Sequence, residues 1–183
     1  MNEFSLVKGA DAEVLGEIEG WIDKIENYLR DFFDGELERV RGTEFGDCIS
    51  KVNYLFESSV AEPGTFRGVR DMRGRLQAGA IVEPYFDYFE IDAFTNAPWN
   101  VLKSQPETLK GAATSLMEEL VNESFELGMS GRIKLVAIER ALSFYTKIGF
   151  TESEDGLGEL ELTPAAAERF LERQRSHRRN ENQ

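Results

Sequence analysis

Between Ala61 and Phe94 the spacing of apolar residues changes from the period of a helix to that of a strand, and after Pro106 it changes back. A chain patterned this way cannot be a pure helical bundle or a pure β-sandwich; it has to lay helices on a sheet. Ahead of the change, Leu15, Ile18, Ile22, Ile25, Leu29 and Phe32 recur at steps of three and four, which predicts an amphipathic helix with Asp11 as N-cap and Gly35 at its end. Phe45, Ile49, Val52 and Phe56, with Cys48 and Leu55 on the same face, predict a second helix. "EFSLVKG" alternates as a first strand, and "AEPG" at 61–64 is a turn.

Past the change, "TFRGVRDMRG", "RLQAGAIVEPYF" and "DYFEIDAF" predict three successive strands in an antiparallel meander. In the third, Phe89, Ile91 and Ala93 point one way, and Tyr88, Glu90, Asp92 and Phe94 the other. "NAPWNVLKSQP" breaks the regularity. A long helix is predicted from Glu107 to about Leu127, with Leu109, Ala113, Leu116, Leu120 and Leu127 as its core stripe and Gly128 as its stop. "RIKLVAI" shows little alternation, as expected of a strand covered on both faces. "RALSFYTKIGF", residues 140–150, reads as a short helix, a glycine stop and an aromatic entry into a strand; Ala141, Phe144, Tyr145 and Ile148 share one helix face. "FTESEDGLGELELT" is a strand pair or a strand with a loop. Thr163 and Pro164 open a last helix that is expected to fray into the polar tail "RSHRRNENQ". The fold class is mixed α/β, one sheet with helices packed on its faces.

The length of 183 residues fits one domain. The one cysteine, Cys48, has no partner for an internal disulfide, which points to a reducing, cytoplasmic setting. The opening has no basic segment followed by an apolar run, so no signal peptide is expected. No apolar stretch reaches the ~18 residues of a membrane span. A net charge of −13 argues against nucleic acid as a partner. The charge is concentrated at the front: residues 1–62 hold 15 acidic and 6 basic side chains, the remainder 19 and 15. An acidic front draws cationic substrates such as amines, and it is also what an ordinary solvated surface looks like.

No His/Cys cluster has the spacing of a metal site, so no metal is expected. His177 lies in the tail, and Cys48 sits on an apolar helix face where it packs rather than reacts. Two stretches carry possible chemistry. In "TLKGAATSLMEEL", residues 108–120, a glycine stands at a helix start, where the amides of Leu109 to Ala113 and the helix dipole suit a phosphate; many helices also begin with a small residue for no such reason. Tyr145 is either core with a hydrogen-bonded tip or an acid beside a reaction.

Taken together and in this order, the two stretches resemble the GNAT superfamily of acetyl-CoA-dependent N-acetyltransferases. The family's loop before its long helix reads Arg/Gln-x-x-Gly-x-Gly/Ala; here Thr108, Leu109, Lys110, Gly111, Ala112 and Ala113 keep the two small-residue slots and place Thr where Arg or Gln is usual. The family's later Asn-x-x-Ala-x-x-Phe-Tyr-x-x-x-Gly-Phe is matched by Ala141, Phe144, Tyr145, Gly149 and Phe150, with Ile138 in place of the leading Asn. The resemblance is firmest over 105–150. It implies a central, mostly antiparallel sheet with a splayed parallel strand pair and helices on both faces. It implies one domain over 1–183, divided into a variable helical front (1–62), the sheet and acyl-CoA core (63–150) and a C-terminal strand, helix and tail (151–183).

The same resemblance implies acetyl-CoA as cosubstrate, its diphosphate bound by Thr108, Leu109, Lys110, Gly111, Ala112 and Ala113, with Thr108 as an alternative helix N-cap. It implies Tyr145 as hydrogen-bond donor to the departing sulfur. Glu90 or Asp92 would be the base that frees an amine of its proton. The acceptor is a small-molecule or protein amine, and a homodimer is common in proteins of this kind. Tyr85, Phe86, Tyr88 and Phe94 either line an acceptor slot or belong to the core. A non-catalytic module of the same shape, binding CoA or a protein, is the alternative.

Overall fold

The computed structural model describes residues 4–181. Seven strands hydrogen-bond in the order β1-β2-β3-β4-β5-β7-β6. They are β1 (Phe4–Lys8), β2 (Phe66–Asp71), β3 (Leu76–Pro84), β4 (Phe89–Asn96), β5 (Ile133–Val136), β6 (Thr151–Glu152) and β7 (Glu159–Leu162). The helices are α1 (Ala12–Phe33), α2 (Glu44–Ala61), the single turn α3 (Pro98–Val101), α4 (Ala112–Glu126), α5 (Leu142–Ile148) and α6 (Pro164–Glu181). The sheet is antiparallel except for β4 and β5, which run parallel over three residue pairs, Phe89–Ile133, Glu90–Lys134 and Ile91–Leu135. β4 continues to Asn96 and β5 stops at Val136. The predicted order of elements and the mixed sheet are both found.

The chain divides into two compact units. The first takes the residues up to Ile81 together with Ala93–Leu116. Its core is built by α1 and α2 on β2 and β3, around Val14, Ile18, Trp21, Ile25, Tyr28, Cys48, Val52, Leu55, Phe66 and Ile81. Asp11 caps α1 as expected, accepting from the Val14 N–H at 2.9 Å, and Thr43 caps α2 through the Gly46 N–H at 3.1 Å. The buried line of α1 is Val14, Ile18, Trp21, Ile25 and Tyr28. The predicted stripe is therefore displaced: Leu15, Ile22 and Leu29 flank the core and Phe32 is exposed. Two amphipathic rings, Trp21 and Tyr28, bury more area than the aliphatics beside them and so set the helix's rotation. Gly79 explains how closely α2 packs, because a Cβ there would lie 2.9 Å from Leu55 Cδ2.

The second unit takes Val82–Asp92 and the residues from Met117 onward. It buries Phe89, Ile91, Met117, Leu120, Val121, Ile133, Leu135, Tyr145, Ile148, Phe150, Leu160, Leu162 and Phe170. Three expectations are corrected in it. Lys134 is half-buried and Val136 exposed, so β5 alternates after all, and only one face is covered at its end. Leu127 is exposed, because α4 ends at Glu126 and the chain turns off the helix there, with Gly128 in a left-handed conformation, φ 78°. Of the polar tail "RSHRRNENQ", expected to fray, the described part is helical: α6 continues to Glu181, with Arg178 clamped on Glu118 of α4 by two bonds of 2.6 and 2.8 Å, and Asn182 and Gln183 lie outside the described residues. "FTESEDGLGELELT" is a strand pair, β6 antiparallel to β7. Among the described residues no helix is long and apolar enough to cross a membrane.

Candidate active site

The first candidate stretch is the turn that leads into α4. The helix begins at Ala112 and not at Glu107 as the periodicity suggests. Its first backbone bond runs from the Ser115 N–H to the Gly111 carbonyl, 2.9 Å. The amides just inside that start, at Ala112, Ala113 and Thr114, have no acceptor within the helix. Gly111 has φ 93°, a conformation open to glycine and costly to other residues, and it is solvent-exposed. A groove of about 160 Å³ lies over this turn, lined by Asn96, Asn100, Lys110, Gly111, Ala113 and Thr114, with Thr108 and Leu109 beside them. Free helix-start amides, a glycine without a side chain and a nearby ammonium suit a diphosphate.

Two of the expected contributors are already engaged. The Thr108 hydroxyl donates to the Trp99 carbonyl at 2.7 Å, so it does not cap α4, which starts four residues later. The Leu109 N–H donates to Asn100 Oδ1, also at 2.7 Å. The donors left to a ligand therefore lie from Lys110 onward. The residues that fix the turn are Trp99 and Asn100, which lie in a helical turn past the end of β4 at Asn96 and not at the end of a strand reaching Trp99–Leu102, as the resemblance implies. A signal for their role did exist in the sequence: Gln77 is the lone polar residue in the apolar run "LQAGAIV" of β3, is completely buried, and accepts from Trp99 Nε1 and Asn100 Nδ2 at 2.9 Å each.

The remaining candidates lie in the second unit. Tyr145 is 5% exposed, between the edges of Phe144 and Phe150, whose ring centres are 5.2 and 5.5 Å away. Burial pushes its hydroxyl up to about 12, so it is a proton donor at any physiological pH. α5 is shorter than expected: Glu139–Ala141 form a 3₁₀ turn, and Leu142 begins the helix proper. Arg173 of α6 closes its far end, donating to the Ile148 carbonyl at 2.7 Å.

Glu90 and Asp92 share one face of β4, Glu90 half-buried and Asp92 exposed. The Glu90 carboxyl is held above the ordinary glutamate range, first by burial and then by the negative charges of Asp92, Glu159 and Glu83; a hydrogen bond from Tyr85 opposes the shift. Tyr85 stacks on Tyr88 with ring centres 5.0 Å apart, and Lys134 Nζ sits 4.8 Å over the Tyr88 ring. Of the four aromatics weighed for an acceptor slot, Phe94 is buried, Phe86 fully exposed, and Tyr85 and Tyr88 form the stacked pair. The structure thus brings Glu90, Asp92 and Tyr145 into one unit and places residues 108–113 in the other. Cys48 is buried, its thiol raised to about 11 by burial, and it packs as expected.

No protein-family model and no curated protein sequence matches this chain. Solved structures do. The PaiA N-acetyltransferase from Thermoplasma acidophilum, in complex with coenzyme A, aligns at TM-score 0.54 and 16% identity, over 86% of this chain and 97% of that one. A chimeric spermidine N-acetyltransferase from Vibrio cholerae aligns at TM-score 0.51 and 17% identity, over 92% and 99%. N-acetylglutamate synthase from Neisseria gonorrhoeae is a longer protein; this chain spans 34% of it at 15% identity and TM-score 0.49, covering 86% of itself. With its single parallel pair β4–β5, its long helix after a glycine turn, and its alignment over 86–92% of its length with such domains, this chain has the GNAT acetyltransferase fold.

Proposed function

We infer that this protein transfers an acetyl group from acetyl-CoA to an amine by direct attack. The observation that carries the reading is the turn into α4, where Gly111 at φ 93° leaves helix-start amides open beside Lys110. In this reading the segment Thr108–Ala113 grips the diphosphate, with the donors from Lys110 onward making the contacts and Thr108 and Leu109 holding the turn's shape. The PaiA enzyme of the same fold was crystallised with coenzyme A, which supports this ligand.

In the reaction the amine nitrogen bonds to the acetyl carbon, the carbon–sulfur bond breaks, and the pair goes to sulfur. Tyr145 donates a hydrogen bond to that developing thiolate. A phenol of ordinary pKa is already a weaker acid than a thiol, and burial widens the gap, so stabilisation by hydrogen bonding outweighs full proton transfer. Glu90 takes the proton from the amine, with Asp92 beside it as the other carboxylate on that face. The acceptor is an amine, cationic in water, suited to the surplus of carboxylates around the Tyr85–Tyr88 pair. The single cysteine, kept buried, suits a cytoplasmic enzyme.

A second reading, a CoA-binding or protein-interaction module without turnover, is favoured by one observation. The side chain at the Arg/Gln slot, Thr108, is turned back onto the Trp99 carbonyl. Incubating the protein with acetyl-CoA and a panel of amines while following free thiol separates the two. Thiol release that depends on an amine supports transfer; CoA binding with no release on any amine supports a CoA-binding module; no CoA binding removes both of these and leaves only the protein-interaction module.

A further inference from the structure

We propose that Asn100 is the positioning residue of the diphosphate turn, held in one orientation by a relay of buried side chains that begins at Asp71. This inference rests on the acyl-CoA reading of residues 108–113. At the origin of the relay, Asp71 Oδ1 accepts from the backbone N–H groups of Arg73 and Arg75 at 2.8 and 3.0 Å. Its Oδ2 accepts from Gln77 Nε2 at 2.8 Å and from Arg75 Nε at 3.3 Å. Burial acts to raise this carboxyl, and the hydrogen bonds from Arg75, Gln77 and Arg73 outweigh it, so Asp71 is ionised and accepts only.

An acceptor-only group fixes the direction of everything after it. Gln77 has to present its NH₂ to Asp71, which turns its Oε1 the other way. That oxygen accepts from Trp99 Nε1 and Asn100 Nδ2, both at 2.9 Å. Asn100 Nδ2 also reaches the Gln77 backbone carbonyl at 3.2 Å. With its NH₂ committed, Asn100 presents Oδ1 outward, where it accepts the Leu109 N–H at 2.7 Å. Reversing either amide would set oxygen against oxygen at one junction and N–H against N–H at the next, and Gln77, at the centre of the relay, is fully buried, so the mismatch there is costly. The Trp99 carbonyl meanwhile takes the Thr108 hydroxyl. Two adjacent residues of α3 thus pin two adjacent residues of the turn, Thr108 and Leu109, two positions and one position before Lys110. The relay does the work of a side chain at the Arg/Gln slot by ordering the backbone rather than by touching phosphate.

The test uses Asn100→Ala in the full chain, at a half-exposed site where truncation leaves the core intact. Hydrogen exchange is read at Leu109, and CoA affinity is read by calorimetry. The expected result is loss of protection at the Leu109 amide and about a tenfold weaker CoA Kd, the effect of one backbone hydrogen bond. KM for the amine should be unchanged. Equal Leu109 exchange in both proteins overturns the relay. Lost protection with unchanged CoA affinity overturns the positioning role. A wild-type protein that binds no CoA overturns the acyl-CoA reading itself, and with it the role of Asn100 toward a diphosphate, while the exchange arm still decides whether the relay orders the turn.

Discussion

Glu90 on β4 and Lys134 on β5 are register partners across the parallel pair, and the Lys134 ammonium lies 3.3 Å from Glu159. Burial works to lower the Lys134 pKa, and its bond with Glu159 more than reverses that, so the lysine's charge is spent on β7. Glu90 is left among carboxylates, which together with burial explains its raised pKa.

The first prediction concerns pH. A base works when ionised, so kcat/KM for a favoured amine should rise with pH along a limb displaced above the ordinary glutamate value of ~4.3. Glu90→Gln should remove that limb; a limb that survives the substitution moves the base to Asp92. Stability should respond in the opposite sense. The folded state binds the Glu90 proton more tightly than the unfolded chain does, so stability falls as pH rises from the unfolded to the folded pKa. Glu90→Gln should therefore melt above wild type at neutral pH and level with it below that window, in calorimetric scans at several pH values.

Tyr145→Phe keeps the ring that packs against Phe144 and Phe150 and deletes only the hydroxyl. Losing a donor aimed at developing charge should lower kcat about 100-fold, with CoA affinity unchanged. Because burial sets the hydroxyl at about 12, wild type should show no alkaline fall in activity from this group below that pH. Full turnover by the phenylalanine variant would remove Tyr145 from the chemistry.

Gly111→Ala tests the turn. A Cβ would meet only Phe4 Cε2, at 3.7 Å, so the expected cost is conformational and not steric. Holding alanine at φ 93° should cost about 1–2 kcal/mol. That corresponds to about 2–8 °C in Tm for a chain of this size. CoA affinity should fall in parallel as the turn relaxes. A variant with wild-type Tm and Kd would show that the left-handed conformation is not required.

Arg178→Ala should release the end of α6. Glu118 is mostly buried and binds both guanidinium nitrogens, a geometry more favourable than a typical surface pair, yet Arg178 is a third exposed. The expected loss is about 1 kcal/mol or less. Backbone exchange should speed up over residues 174–181 and remain unchanged in β7. Uniform exchange across α6 in both proteins would mean that the helix end is held by other contacts.

Local rules made much of this protein legible from its residues. The caps at Asp11 and Thr163, the stops at Gly35 and Gly128, and the change of period near residue 65 act within a turn or a strand, so they determine the elements and their order. The Gly111 turn and the Phe144–Tyr145 pair stand close enough to known spacing to suggest the fold. What tertiary structure alone decided involves partners far apart in the chain. The rotation of α1 onto Trp21 and Tyr28 depends on which rings the core accepts. The persistence of α6 through its polar end depends on Glu118, sixty positions earlier. The direction of the Asn100 amide depends on a carboxylate at Asp71 reached only through Gln77. Hydrophobic period carries no record of such pairings, because a hydrogen bond between distant side chains is fixed by where the folded backbone brings them and leaves no regular spacing behind.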